Sequence, residues 1–269
     1  MEVKWREPLV SEDENTPVIE ESLLEIMNPY FATVLQAPAG MGKTSSLISY
    51  AHSKGWDVFV QECSSDMDTE DFVGSWTIEG GDTVFLAGES ASAFHRAAEI
   101  EEGKKKGEIG EDKMVLLLLD EVNLVQPAVL KSLGSLFDSR KYINTPFGRI
   151  LCGESLIIAG TMNSEEDSAG YLLDPTFRSR VLILKLSVKD MIRYFLKLKL
   201  FPESICSLIE QTNGKLSIRE AEQLSVLTVI KKMDTQQAMK YVLQKYDVED
   251  AKQILEVWRL LTEGEEDAN

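Results

Sequence analysis

A glycine-rich segment lies between a short apolar run and a run compatible with a helix. The apolar run covers residues 32–35, the segment APAGMGKT covers residues 37–44, and the helix-compatible run covers residues 45–52. Glycine has no Cβ, so such a backbone can curl with its N–H groups turned toward an anion at a helix N-terminus. We therefore predict a strand, a phosphate-binding turn and a helix, which is the start of an α/β fold.

Two side chains in this turn extend the prediction from phosphate to a nucleotide with its metal. Lys43 provides a mobile ammonium for the phosphates, and the Thr44 hydroxyl is placed to ligate Mg²⁺. The usual motif opens with glycine where this chain has Ala37, but the later glycines and the lysine are present. The alternative is a chance Gly-Lys-Thr turn. The predicted contacts of the turn with a nucleotide are Ala37, Pro38, Ala39, Gly40, Met41, Gly42, Lys43, Thr44 and Ser45.

A second apolar run ends in two adjacent carboxylates. Residues 114–119 read MVLLLL, which is typical of a strand buried on both faces, and Asp120 and Glu121 follow directly. Ligands of open α/β sheets bind at the carboxyl ends of such strands. We expect Asp120 to hold Mg²⁺ through its water shell and Glu121 to polarise the water that attacks a γ-phosphate. The alternative is an acidic helix start without a catalytic role.

The order of the predicted elements indicates two domains. Short strands alternate with helices up to about Ser187, and the pattern is wholly helical from there on. We predict an α/β core at residues 1–187, in which helices sandwich a parallel sheet, and a small all-α lid at residues 188–269. Residues 2–16 are expected to be irregular, residues 101–113 an exposed loop, residues 122–138 one helix and residues 142–150 a hairpin.

Composition narrows the classes of partner. The formal net charge of −17 disfavours general binding to nucleic-acid phosphates. The chain has three scattered cysteines and two histidines, which indicate neither a zinc site nor a disulfide framework. No apolar run is long enough to cross a bilayer. We expect a cytoplasmic protein with no membrane insertion.

Longer segments carry a resemblance to a known family. The stretch LLLLDEVNLVQPAVLKSLGSLFDSRK (residues 116–141) resembles the DEINRAPPEVLNALLELLDE type of segment. DTEDFVGSW (residues 68–76), followed by TVFLAGESASAFHRA (residues 83–97), is similar to a helix-2 insert region. The hairpin around Phe147, just before LIIAGTMN (residues 156–163), is similar to a pre-sensor hairpin. With these pieces the chain resembles the AAA+ ATPases over essentially its whole length. The resemblance is to their MoxR and dynein-related branch, which includes the small MoxR, CbbQ, NorQ and GvpN chaperone ATPases.

The resemblance implies roles for four further residues. Asn163 matches sensor 1, which positions the attacking water, and Arg219 in KLSIREAEQLSVLT (residues 215–228) matches a nucleotide contact from the lid. Arg180 in LLDPTFRSRV (residues 172–181) matches the arginine finger that reaches a neighbouring subunit's γ-phosphate, and Arg178 is the alternative. Each arginine could instead be a surface salt-bridge partner.

The resemblance also implies an activity. It predicts a magnesium-dependent ATPase that forms a homo-oligomeric ring, a hexamer, and remodels or activates a protein client, such as one with a von Willebrand factor A domain. Its cofactors would be ATP and Mg²⁺. Two alternatives remain open. One is a GTP-hydrolysing motor of the McrB type, because TMNSEEDS (residues 161–168) resembles the MNTADRS segment of that group. The other is a nucleotide-gated scaffold with little turnover.

Overall fold

The computed structural model describes residues 2–10, 19–164, 173–189, 191–192 and 203–266. These residues pack as two compact units. The first contains the N-terminal segment, Glu21–Gln36 and Thr44–Lys185. The second contains residues 19 and 20, the turn Ala37–Lys43 and the described residues after Lys185. The phosphate-binding turn therefore groups with the helical C-terminal part of the chain, although the helix that follows it begins at Lys43.

The strands are listed here in chain order: β1 (Glu2–Lys4), β2 (Ala32–Gln36), β3 (Asp57–Glu62), β4 (Gly74–Glu79), β5 (Asp82–Ala87), β6 (Val115–Asp120), β7 (Tyr142–Thr145), β8 (Gly148–Leu151), β9 (Leu156–Met162) and β10 (Val181–Lys185). The helices are α1 (Glu21–Leu24), α2 (Lys43–Ser53), α3 (Thr69–Val73), α4 (Glu89–Lys106), α5 (Pro127–Ser132), α6 (Gly134–Phe137), α7 (Pro175–Arg178), α8 (Glu203–Gln211), α9 (Ile218–Ser225), α10 (Thr235–Val242) and α11 (Val248–Glu266).

The main sheet has five parallel strands in the order β10-β2-β9-β6-β3. Its centre is apolar because β6 and β9 have apolar side chains on both faces, and residues 115–119 are at most 1% exposed. Helix α4 packs against β3 and β6. The predicted α/β fold, with a central parallel sheet flanked by helices, is confirmed. Parallel strands place all their carboxyl ends at one edge, so the residues after β2, β6 and β9 share that edge.

A second, three-stranded sheet has the order β1-β5-β4. Its strands β4 and β5 form a hairpin across Gly80 and Gly81, both of which have positive φ. Strand β1 pairs in parallel with β5, with Glu2 opposite Val84. The prediction that residues 2–16 are irregular is wrong for residues 2–4, because their pairing partner lies some eighty residues away and no local pattern indicates it.

Two helix predictions also need correction. Residues 122–138 do not form one helix: a short 3-10 turn at Val122–Leu124 precedes α5, and α6 begins separately at Gly134. Pro127 can start a helix but cannot continue one, which explains the first break. Residues 101–113 are not wholly a loop, because α4 continues to Lys106 and ends at Gly107 in the left-handed conformation. The hairpin predicted at residues 142–150 is present as β7 and β8.

Helices α8 to α11 belong to the second unit. Helix α9 begins with a capping box, in which the side chains of Ser217 and Glu220 each accept a hydrogen bond from the backbone N–H of the other residue. Glu220 also pairs with Lys245, and burial of the carboxylate is offset by these partners, so the pKa of Glu220 lies below its usual value. Asn213 and Gly214 both have positive φ and end α8. The capping box and the ion pair with Lys245 together hold the start of α9 in place.

Candidate nucleotide-binding site

The turn Ala37–Lys43 has the backbone shape that the sequence predicts. Gly40 and Gly42 have φ of 68° and 72°, a conformation that side chains other than glycine rarely adopt. Lys43 is 6% exposed, and its Nζ donates to the carbonyl oxygens of Ala37 at 3.0 Å and Pro38 at 2.9 Å. These bonds hold the ammonium over the turn. The turn can therefore present both backbone N–H groups and a positive charge to a phosphate.

Gly40 also lies close to the start of α9. A Cβ at this position would be 2.7 Å from Ser217 Oγ and 3.9 Å from Arg219 Cβ. Arg219 is exposed. The structure therefore brings Arg219 beside the turn, as its predicted role as a nucleotide contact requires, and that role stays a prediction. Gly40 is needed both for its positive φ and for this close approach.

Asp120 is the centre of a hydrogen-bonded cluster at the carboxyl edge of the sheet. Its Oδ1 accepts from Thr44 Oγ1 at 2.6 Å and from Thr161 Oγ1 at 2.5 Å. Thr44 is in the first turn of α2, and Thr161 is near the end of β9, which lies between β2 and β6. The order of the strands thus brings both hydroxyls to the same oxygen of the carboxylate.

Glu121 is held next to this cluster by its backbone and its side chain. Its N–H donates to Thr161 Oγ1 at 2.9 Å, and its Oε1 accepts from Asn163 Nδ2 at 3.1 Å. The φ of Glu121 is 56°, which is uncommon for a residue other than glycine and is often found at functional sites. The structure therefore brings Glu121 and Asn163 together, as the predicted catalytic pair would require.

Thr161 is the residue of this cluster that the sequence did not identify. It is 1% exposed and bonds to both Asp120 and the backbone of Glu121. A polar residue in the otherwise apolar run LIIAGTM was the available signal. Its meaning depends on the neighbouring strand, so the run alone could not assign it.

The oxygens of Thr44 and Asp120 fit the magnesium ion that the fold family implies. A hydroxyl and a carboxylate are hard donors, and Mg²⁺ uses few protein ligands while keeping several waters. In the described part of the chain, no group of three or more His, Cys, Asp and Glu side chains is placed to hold a metal. A site with two protein oxygens is the arrangement expected for a metal that also binds the phosphates.

The neighbouring thiol, Cys63, takes no part in this chemistry. Its N–H donates to the carbonyl of Asp120 at 2.9 Å. Burial, together with the charges of Asp120 and Glu121, raises the pKa of Cys63 to about 12. Since the thiolate is the reactive form of cysteine, a thiol with this raised pKa stays protonated at neutral pH and is a poor nucleophile.

The two finger candidates lie at the junction of α7 and β10. Arg178 is exposed in the last turn of α7, and Arg180 is half-buried directly before β10. Within the described ranges, neither guanidinium has a hydrogen bond or ion pair to Asp120 or Glu121. The structure thus does not bring the two guanidinium groups into contact with these carboxylates within the described part of the chain. Residues 165–168, the second half of TMNSEEDS, lie outside the described residues.

No helix within the described ranges combines the length and the apolar character needed to cross a membrane.

Comparison with known proteins gives partial matches. The uncharacterized protein YojN of Bacillus subtilis is 31% identical over 126 residues, which are 45% of this chain and 36% of YojN. The uncharacterized protein SERP0979 of Staphylococcus epidermidis is 28% identical over 119 residues, which are 42% of this chain and 39% of that protein. The chain therefore matches less than two fifths of the length of these curated relatives.

Two solved structures are similar in fold. A Cytophaga hutchinsonii protein, provisionally described as an ATPase, is 15% identical, with a TM-score of 0.44 and coverage of 87% of this chain and 78% of that one. The RuvB Holliday junction branch migration motor of Thermotoga maritima is 14% identical, with a TM-score of 0.42 and coverage of 86% and 70%. The family follows instead from the sequence: residues 32–181, more than half of the chain, match the AAA domain of the dynein-related subfamily, and the chain belongs to that family.

Proposed function

We propose that this protein is a magnesium-dependent ATPase that works as a ring and remodels or activates a protein partner. The observation that carries the proposal is the cluster around Asp120. One carboxylate accepts hydrogen bonds from Thr44 and Thr161, and the next residue, Glu121, is held by Thr161 and Asn163. This arrangement separates a metal-holding carboxylate from a water-activating one, as hydrolysis of a triphosphate requires.

Each residue has a distinct task in the proposed reaction. The N–H groups of the turn and the Lys43 ammonium would bind the phosphates, and Thr44 and Asp120 would hold the magnesium, which would neutralise phosphate charge. Glu121 accepts a proton from the attacking water, and Asn163 fixes the orientation of the Glu121 carboxylate. Arg219, beside Gly40, contacts the nucleotide from the lid.

We further propose that the active site is completed by a second copy of the chain. Arg180, with Arg178 as the alternative, would stabilise the γ-phosphate of the neighbouring subunit. Family membership supports a closed ring, and a hexamer is the expected size. Cys63, Cys152 and Cys206 are buried and form no disulfide in the described part of the chain, which is compatible with a reducing compartment, and we place the protein in the cytoplasm.

An aromatic cluster supports a protein as the client. Trp76 in β4 and Phe147 in the turn between β7 and β8 have ring centroids 5.6 Å apart, and both also pack on buried Phe85. Trp76 and Phe147 are each nearly half exposed, and Ile78 beside them is 76% exposed. Exposed aromatic rings are frequent in protein contacts. A client with a von Willebrand factor A domain is the proposal drawn from the resemblance.

A GTPase of the McrB type and a scaffold with little turnover are the competing functions. We expect the purified protein to hydrolyse ATP in the presence of Mg²⁺, with a rate per subunit that rises with protein concentration as rings form. Measuring phosphate release with ATP and GTP in parallel distinguishes the proposed ATPase from the GTPase and from the scaffold. Preference for GTP would favour the motor, and a rate equal to that of Glu121→Gln would favour the scaffold.

Replacing Lys43 by alanine is expected to weaken ATP binding by at least tenfold. The change removes the ammonium that Ala37 and Pro38 hold over the turn, whereas the glycine conformations stay the same. Binding of a fluorescent ATP analogue measures the effect. Lys54→Ala, at an exposed lysine paired with Glu21, is the matched control and should bind as the unchanged protein does. Equal affinity in both variants would remove Lys43 from the site.

Replacing Thr161 by valine is expected to lower the turnover number about tenfold or more. Valine has nearly the same shape but cannot donate to Asp120 or accept from the Glu121 N–H, which would be left without its partner. Thr161→Ser keeps the hydroxyl and should retain most activity. Steady-state ATPase assays and thermal unfolding of both variants test this. Full activity in Thr161→Val would show that the hydroxyl does not position the carboxylates.

A further inference from the structure

Gly134, the first residue of α6, is buried, although its backbone conformation does not require glycine. Its φ is outside the positive range in which glycine is favoured. Glycine in a helix is destabilising relative to alanine, so the position loses stability by having no side chain. A steric reason is visible: a Cβ on Gly134 would lie 1.9 Å from Nη1 and 3.0 Å from Cζ of Arg180. The missing side chain leaves a hollow that the guanidinium of Arg180 fills.

The guanidinium in this hollow keeps its hydrogen-bond donors available. Among the described residues, the Arg180 side chain has no hydrogen-bond or ion-pair acceptor. The nearby Asp138 carboxylate accepts from Arg140, with Nη2 at 2.5 Å and Nε at 3.0 Å. The hydrogen bonds and the positive charge of Arg140 hold the pKa of Asp138 below its usual range, and the charge of Arg180 adds a smaller lowering. Arg180 is therefore placed by its steric fit against Gly134, not by a bond that an incoming phosphate would have to break.

We propose that Gly134 is a positioning residue for Arg180: its hollow holds the guanidinium in the orientation from which it reaches the triphosphate of the neighbouring subunit. The inference rests on the proposed function, because it assumes that Arg180 acts in trans. It adds a residue that the sequence does not mark, since Gly134 lies between two short helices and carries no chemistry of its own.

Gly134→Ala tests the inference directly. We expect its turnover number to fall about tenfold or more, because small misplacements of a catalytic group are costly. ATP affinity should not change. The unfolding temperature should not fall, because alanine favours the helix and the blocking atom is the end of a flexible side chain. Ser139→Ala, at an exposed residue five positions along, is the control and should hydrolyse ATP normally.

Two further measurements distinguish a misplaced Arg180 guanidinium from a general loss of folding stability. The double variant Gly134→Ala with Arg180→Ala should be no slower than Arg180→Ala alone, because both changes act through one guanidinium. If Gly134→Ala lowers the unfolding temperature, the double variant should restore it by removing the clash. A slower or still unstable double variant would overturn the inference.

Mixing subunits gives the last readout. Rings that combine Gly134→Ala with Glu121→Gln contain interfaces with an intact Glu121 site and an intact Arg180, so activity should exceed that of either variant alone. A defect in the variant's own nucleotide site would not be rescued. Normal turnover of Arg180→Ala would contradict the proposed function, whereas normal turnover of Gly134→Ala beside a slow Arg180→Ala would contradict only this inference.

Discussion

The Glu121→Gln variant is expected to bind ATP with normal affinity and to hydrolyse it at least about 10²-fold more slowly. The glutamine oxygen can still accept the bond that Asn163 Nδ2 makes to Glu121 Oε1, so the geometry of the pair is kept. The amide cannot accept a proton from water at neutral pH. General-base catalysis contributes about 10² to 10⁴ in rate, which sets the size of the expected loss.

Glu62→Gln is the matched control for this experiment. Glu62 ends β3, stands opposite Asp120 in the strand register, and is exposed. The same loss of charge is therefore made one strand away from the proposed base. Single-turnover ATPase assays with saturating ATP, together with nucleotide-binding titrations, separate chemistry from binding. If Glu121→Gln turned over ATP as fast as Glu62→Gln, Glu121 would not be the base, and the role of Asn163 would also be withdrawn.

Much of the candidate site could be predicted because its residues are contiguous in the chain. The turn at residues 37–44 and the pair Asp120 and Glu121 each follow an apolar strand, and strand, turn and carboxylate are recognisable without knowledge of their neighbours. Parallel packing of β2, β9 and β6 then accounts for the bond between Thr44 and Asp120, which are 76 positions apart. The parallel sheet itself followed from the long apolar runs within β6 and β9.

The features that sequence did not predict depend on contacts between distant segments. Thr161 became part of the site because β9 lies between β2 and β6, and a pattern within one strand does not reveal its neighbours. Strand β1 exists because β5 offers it a pairing edge. Gly134 has a reason to be glycine only when Arg180, 46 positions later, is seen against it. In each case the information is in the packing and not in the local sequence.

The Arg180→Ala variant is expected to lose about 10³-fold in turnover while keeping its affinity for ATP. An arginine supplied by a neighbouring subunit stabilises charge that spreads over the γ-phosphate oxygens only in the transition state, and such residues contribute about 10³ or more in rate. The half-buried guanidinium of Arg180 is held against Gly134 without an acceptor among the described residues, whereas Arg178 is exposed at the end of α7. The structure therefore favours Arg180 over Arg178 as the residue to test first.

Arg178→Ala is the matched comparison, because it removes the same group two positions away. ATPase rates at several protein concentrations, with the oligomeric state followed by light scattering, show whether a loss reflects chemistry or failed assembly. We expect Arg180→Ala to form rings of normal size that are nearly inactive, and Arg178→Ala to retain most turnover. A large loss confined to Arg178→Ala would exchange the two roles, because the solvent-exposed guanidinium of Arg178 would then be the one that reaches the phosphate. Normal rates in both would mean that each subunit hydrolyses ATP without its neighbour, and the shared active site would have to be abandoned even though the cluster around Asp120 remained.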